Sequence, residues 1–159
     1  MSVDASQTTL MRQSIRDGIA RAAGVIGLAG MALIHTIDAP SHFVGGPDTY
    51  LGLMYVALIV ASLGLAGGLI VSGDRRLWAA SGALALSVIV GFVLSRTSGL
   101  PGDPGDVGSW SEPLGMASLF VEGTLMMLSG VAFALTSAAT RGPSLADMPR
   151  VSPRPGWVS

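Results

Sequence analysis

The sequence contains no cysteine and no lysine, and only 12% of its residues are charged. Ordinary soluble domains carry about 25% charged residues. Without cysteine the chain cannot form disulfides, thiolate metal sites, iron–sulfur clusters or cysteine nucleophiles. Its nine basic residues form no basic face beyond the pattern described next, so nucleic-acid binding has no support. What is abundant instead is apolar sequence, which makes up half of the chain.

Four long apolar runs divide the arginines into separate groups. The segments before the first run, between the second and third, and after the fourth carry eight arginines, counting Arg21 at the start of the first run, and four aspartates, a net charge of +4. The two other connections carry five acids and Arg96, a net charge of −4. Basic residues are retained on the cytoplasmic side of a membrane. The alternation therefore predicts a multi-pass plasma-membrane protein with both termini in the cytoplasm.

The predicted fold is all-α, an antiparallel four-helix bundle that spans the lipid bilayer over residues 18–138. Each apolar run has about the 20 residues that a bilayer core requires. No small-residue cleavage site follows the first run, so we expect an uncleaved helix rather than a signal peptide. Residues 1–17 are predicted to be a cytoplasmic segment and residues 139–159, rich in proline, a disordered cytoplasmic tail. The predicted spans are 18–37, 50–72, 77–95 and 113–138.

Small residues occur in all four spans. Gly64 and Gly68 are four residues apart, a spacing that lets helix backbones approach closely in lipid. Packing within the bundle explains them directly. The alternative is a homo-oligomer, or contact with other membrane subunits, through these small-residue faces.

Glu122 is an ionisable residue inside the fourth predicted span. It follows Pro113 by nine residues, which places it about 13 Å into the helix at 1.5 Å per residue. An ionisable side chain at such a depth is costly and usually faces the bundle interior. Small and polar residues recur with it at helical spacing, which supports an inward face. These residues are Gly115, Ser118, Ser129 and Thr136.

Arg96 ends the third predicted span on the side where basic residues are rare. We predict an intramembrane polar pair between Arg96 and Glu122, for which Glu112 competes. The pair is either a proton- or cation-linked site or a structural ion pair. Alternatively, Arg96 anchors the interface by extending its head group towards water.

The two histidines form a second candidate site. His35 and Asp38 are one helical turn apart, and His42 follows within four residues. With Glu112 from another helix they could bind a divalent transition metal such as Zn²⁺, Cu²⁺, Fe²⁺ or Mn²⁺. The alternative is that His35 bonds a helix-end carbonyl and His42 is a loop residue. Haem held between two helices has less support, because both histidines come from one helix end.

The run from Leu94 to Gly102 reads LSRTSGLPG, and Trp110 to Gly115 reads WSEPLG. With Val121 and Glu122 they resemble a pattern in small uncharacterised four-helix bacterial integral membrane proteins. The resemblance covers residues 18–138 and implies a four-span inner-membrane protein without supplying an activity. It also implies that Arg96, Glu112 and Glu122 belong to one unit.

Three functions are compatible with these observations. The leading hypothesis is a membrane protein whose outward-facing polar site binds or passes a small cation or proton, or an accessory subunit of a membrane complex. The second is a redox component in which His35, His42 and an acid hold a metal or haem. The third is a structural helper without a site. An enzyme is left open with less support, because no serine lies beside a base that would make it a nucleophile.

Overall fold

The computed structural model describes residues 2–43, 49–101 and 105–139, with the side chains of 2–5, 42, 49 and 139 excepted. All regular elements in these ranges are helices, and four of them are long and apolar enough to cross a membrane. The all-α class and the four apolar helices predicted from the sequence are confirmed. They are α1 (Ser2–Asp38), α2 (Thr49–Val71), α3 (Arg75–Thr97) and α4 (Pro113–Ala139), with a short 3-10 helix at Ala39–His42.

The helix ends agree closely with the predicted spans, except at the start of the chain. Helix α1 also includes residues 2–17, which are predicted from the sequence to be a separate cytoplasmic segment. Residues 6–17 of this extension are exposed, so they contribute nothing to the core. The predicted tail lies outside the described residues from position 140 onwards.

Polar side chains form hydrogen bonds with the backbone groups on both sides of the short connection between α2 and α3. The carboxylate of Asp74 caps α3 by accepting the backbone N–H of Arg76 at 2.8 Å. On the other side, the last carbonyls of α2 have no partner within their own helix. The guanidinium of Arg21, from α1, donates to the carbonyl of Leu69 at 2.7 Å and to that of Ile70. These bonds hold α1, α2 and α3 together at the end of the molecule that is opposite the site described below.

The helices approach closely where one of them carries glycine. A Cβ atom at Gly24 would lie 2.9 Å from the ring of Trp78, and one at Gly27 would lie 3.2 Å from Leu125. Glycine therefore allows α1 to contact both α3 and α4. The two glycines predicted on α2 have different surroundings. Gly68 faces Leu77 of α3, whereas Gly64 has open space around it within the described structure. The fully buried apolar residues around these contacts are Leu28, Met31, Leu69, Ala85 and Leu125.

The polar face of α4 points inward, as its spacing predicts. Ser118, Glu122 and Ser129 are 7%, 0% and 1% exposed. The opposite face carries large exposed residues such as Phe120 and Met127. Because α4 contacts both α1 and α3, its polar face lies among the helices.

Candidate functional site

The connection between α3 and α4 turns back over the end of α3. Gly99 and Gly108 have φ angles of 75° and 83°, a left-handed conformation that glycine adopts without steric cost. The N–H of Gly99 bonds the carbonyl of Leu94 at 3.1 Å, and that of Gly108 bonds the carbonyl of Arg96 at 3.0 Å. This return places one acid of the connection, Asp106, beside the side chain of Arg96.

Arg96 is buried, with 7% of its surface exposed, and has two carboxylate neighbours. Its guanidinium donates to Asp106, and its Nη2 lies 3.7 Å from Oε2 of Glu112. The guanidinium carbon also lies 4.9 Å from the ring centroid of Phe92, which permits a cation–π contact. Among the described residues, Nε of Arg96 has no hydrogen-bond partner. The cation is thus held between two acids and an aromatic face.

Glu112 also begins helix α4. Its two carboxylate oxygens accept the backbone N–H groups of Leu114 and Gly115 at 2.9 Å and 2.6 Å. Such capping satisfies donors that have no partner inside the helix, and a negative charge is favourable at a helix N-terminus. One carboxylate therefore connects the start of α4 to the end of α3.

Glu122 is completely buried, and only one of its two carboxyl oxygens has a hydrogen-bond partner in the described structure. Oε1 accepts a hydrogen bond from the Ser118 hydroxyl at 2.5 Å. Oε2 has no hydrogen-bond partner in the described structure. The nearest ionisable group is His35 of α1, whose Nε2 lies 3.8 Å from Oε1. That distance is about 0.8 Å longer than a hydrogen bond, so a small rotation would let the two groups share a proton.

The other nitrogen of His35 has a defined role. Nδ1 lies 2.9 Å from the carbonyl of Met31, and since a carbonyl can only accept, Nδ1 carries the proton of this bond. In the neutral ring, Nε2 is then an acceptor that faces Glu122. The Tyr55 ring lies 5.2 Å from the His35 ring, and its hydroxyl donates to Oδ2 of Asp38 at 2.7 Å. Glu122, His35, Tyr55 and Asp38 are therefore successive neighbours along one side of the site.

These groups surround one cavity of about 480 Å³. All four helices contribute to its wall, with the longest stretches coming from α2 and α3. Its mouth includes Asp106 and Glu112, whose side chains are 44% exposed. Glu122 lies directly behind the lining residues Ser118 and His35. Other polar groups of the lining are Asp38, Tyr55, Ser87, Ser95 and Arg96.

The structure gives the two members of the predicted polar pair different neighbours. Arg96 contacts Asp106 and Glu112, whereas Glu122 contacts Ser118 and His35. Glu112, predicted to compete for Arg96, does lie beside it. A role for the two residues in function stays a prediction.

The candidate metal ligands are only partly brought together. His35 and Asp38 both line the cavity, as does Glu112, but His35 faces Glu122 and Asp38 accepts from Tyr55. In the portion of the chain that is described, no three His, Asp or Glu side chains are grouped closely enough to hold a metal ion. The side chain of His42 lies outside that portion. His35 bonds the carbonyl of Met31, which lies inside its own helix and not at the helix end that the alternative interpretation names.

Two residues of the site were missed from the sequence. Neither Asp106 nor Tyr55 is among the site residues predicted from the sequence. A signal for Asp106 was present: glycines on both sides of it allow the chain to return towards Arg96. Tyr55 had a weaker signal, since it is four residues from Leu51 and so shares a helix face with this buried residue.

Over the residues that the structure describes, the fold is all-helical, with four helices able to cross a membrane and a cavity among them that is lined by charged groups. Comparison with protein-family models, curated proteins and solved structures finds no match to this chain. The site is therefore interpreted from its own chemistry.

Proposed function

We propose that the protein is a multi-pass plasma-membrane protein whose outward-facing cavity binds or passes a small cation or a proton. Its helices form an antiparallel bundle with both termini in the cytoplasm. The charge difference between the two sets of connections, +4 against −4, supports this orientation. In it the mouth of the cavity faces outward, because Asp106 and Glu112 belong to the negatively charged connection.

The proposal rests on the burial of Glu122 and on its incomplete hydrogen bonding. Its carboxyl group is fully buried, and one oxygen lacks a partner among the described groups. Leaving a buried polar atom unsatisfied costs about 1–3 kcal/mol, and more if the group is charged. A proton on the carboxyl group or a cation beside it would reduce this cost. His35, 3.8 Å away, lies between Glu122 and the cavity and can relay the proton.

The charges around the cavity favour cations over anions. Asp38, Asp106 and Glu112 line it, against one guanidinium, that of Arg96. With His35 neutral, the lining carries a net charge of −2 before Glu122 is counted. A cleft lined by one sign of charge raises the local concentration of the opposite ion.

The experiment is a flux measurement on purified protein in liposomes that contain a pH-sensitive dye. Gradients of sodium, potassium, ammonium and tetramethylammonium ions, and a membrane potential, are imposed in turn. We expect at least one of them to change the internal pH faster than in empty liposomes. Glu122→Gln removes the ionisable group with little change in shape, and we expect it to abolish the signal.

The matched control is Asp17→Asn, which removes a carboxylate from the exposed part of α1, where 58% of the side chain is accessible. This variant should retain the full signal. If wild-type protein behaves like empty liposomes under every gradient, or if Glu122→Gln retains the full rate, the proposal is wrong.

Association with other membrane subunits, or with a second copy of the chain, stays a prediction. Gly64 and Gly67 on α2 have open space around them in the described structure, which is the room that a close helix contact needs. An accessory role in a larger complex would use such a face.

A further inference from the structure

The cavity is larger than an inorganic ion or a proton pathway requires. Its volume of about 480 Å³ lies within the range of roughly 300–1,000 Å³ for small-molecule sites. Much of its wall is apolar, and an inorganic ion would contact little of that surface. Volume and wall together favour a ligand with an apolar body. The apolar side chains from α2 and α3 are Leu51, Met54, Leu58, Leu84, Val88 and Phe92.

The charged groups are confined to one end of the cavity. Asp38 lies at the end of α1, Arg96 in the last turn of α3, and Asp106 and Glu112 in the connection that follows. The apolar residues reach deeper, to Leu84 near the middle of α3. A ligand that matches this division has a charged group at one end and apolar atoms at the other.

The polar end is suited to a positive charge. The carboxylates that line it outnumber the guanidinium of Arg96 by three to one, and the ring of Tyr55 forms an aromatic wall beside Asp38. Aromatic faces attract ammonium groups, and quaternary ammonium ions in particular. An anion would be repelled, since the carboxylates of Asp106 and Glu112 already surround Arg96.

We infer that the cavity binds a monovalent organic cation with an apolar body, such as a substituted amine or a quaternary ammonium ion. This inference rests on the proposed function and specifies its ligand. The ammonium group lies at the acidic end between Asp38 and the ring of Tyr55, and the apolar body lies between α2 and α3.

The test compares two probes of similar shape and opposite charge, benzyltrimethylphosphonium and benzyltrifluoroborate, each with a charged group at one end and an apolar ring at the other. Each is equilibrated at one fixed pH with the full-length protein in detergent, with protein-free micelles as the background. We expect saturable binding of the phosphonium ion, one per chain, and no saturable binding of the borate. Equal binding of both probes, or of neither, would overturn the inference.

Two glycines allow a matched steric control. Gly91 lines the cavity and Gly123 does not, yet a Cβ atom at either position would meet no atom of the described structure within 4 Å. Gly91→Leu should fill part of the cavity and weaken phosphonium binding by about tenfold or more. Gly123→Leu should leave binding unchanged. Equal effects of the two substitutions would contradict the assigned site.

A charge variant provides a second measurement that does not depend on filling the cavity. Asp38→Asn removes the negative charge and keeps an oxygen that can accept from the Tyr55 hydroxyl. We expect the phosphonium ion to bind about tenfold more weakly, as for the loss of one partly screened charge contact. Unchanged binding in this variant would argue against an ammonium group at the acidic end.

The two proposals can fail separately. If inorganic ions give a flux that Glu122→Gln abolishes, but the phosphonium ion does not bind, the proposed function stands and the ligand class is wrong. If the phosphonium ion binds in the cavity while no gradient produces a flux in liposomes, the ligand class stands and the passage of ions or protons is wrong.

Discussion

The partners of Arg96 can be identified by their free energies of interaction. Arg96 is 7% exposed, whereas the Asp106 side chain is 44% exposed, so the pair is partly screened by solvent. Two unit charges at 4 Å interact by about 4 kcal/mol at an effective dielectric constant of 20. Screening at the exposed partner reduces this towards the values of surface pairs, so we expect a coupling energy of about 1–2 kcal/mol between Arg96 and Asp106. For Arg96 and Glu122 we expect none above about 0.5 kcal/mol.

Two double-mutant cycles measure these couplings. The first combines Arg96→Gln with Asp106→Asn, and the second combines Arg96→Gln with Glu122→Gln. The free energy of unfolding is obtained for each variant from denaturation by dodecyl sulfate in mixed micelles, followed by circular dichroism. Coupling above about 1 kcal/mol in the second cycle, with additive effects in the first, would refute the assigned pairing.

Two further predictions concern the buried carboxyl group and the orientation of the chain. Ser118→Ala removes the hydrogen bond to Glu122 and should lower the free energy of unfolding by about 1–3 kcal/mol. The control is Ser129→Ala, at a hydroxyl without a partner in the described structure, which should lower it by less than about 1 kcal/mol. Equal losses in the two variants would show that the hydrogen bond of Ser118 contributes nothing specific. Because the chain has no cysteine, single cysteines at the exposed positions Ser6 and Ser111 report topology directly. A membrane-impermeant maleimide should label intact cells at position 111 and reach position 6 only after permeabilisation, and the reverse result would invert the proposed orientation.

Most of the helical architecture could be predicted from the sequence, because length and apolar content decide whether a segment can span a bilayer. The predicted spans 50–72, 77–95 and 113–138 end within about two residues of the observed helices. The inward face of α4 followed from the spacing of Ser118, Glu122 and Ser129. Periodicity identifies such a face because helical neighbours recur every three to four residues.

The pairing of side chains could not be predicted in the same way. Depth in the membrane suggested Arg96 as the partner of Glu122, but partners also depend on helix rotation and on the path of the loops. The return of the connection at Gly99 and Gly108 brings Asp106 to Arg96, and contact between α1 and α4 brings His35 to Glu122. Neither feature leaves a periodic signal in a single sequence.

The brevity of the connection between α2 and α3 has a mechanical consequence for the cleft that the two helices line. Only residues 72–74 join them, and Arg21 bonds the carbonyls beside this turn, whereas the cleft opens far from it. In the proposed antiparallel arrangement Phe92 lies about 27 Å from the turn, at 1.5 Å per residue. A relative tilt of about 5° around the turn would therefore change the width of the cleft by about 2 Å, at the cost of few contacts near the hinge. The turn thus fixes the distance between α2 and α3 at one end, and the angle between the two helices sets the width of the cleft at the other.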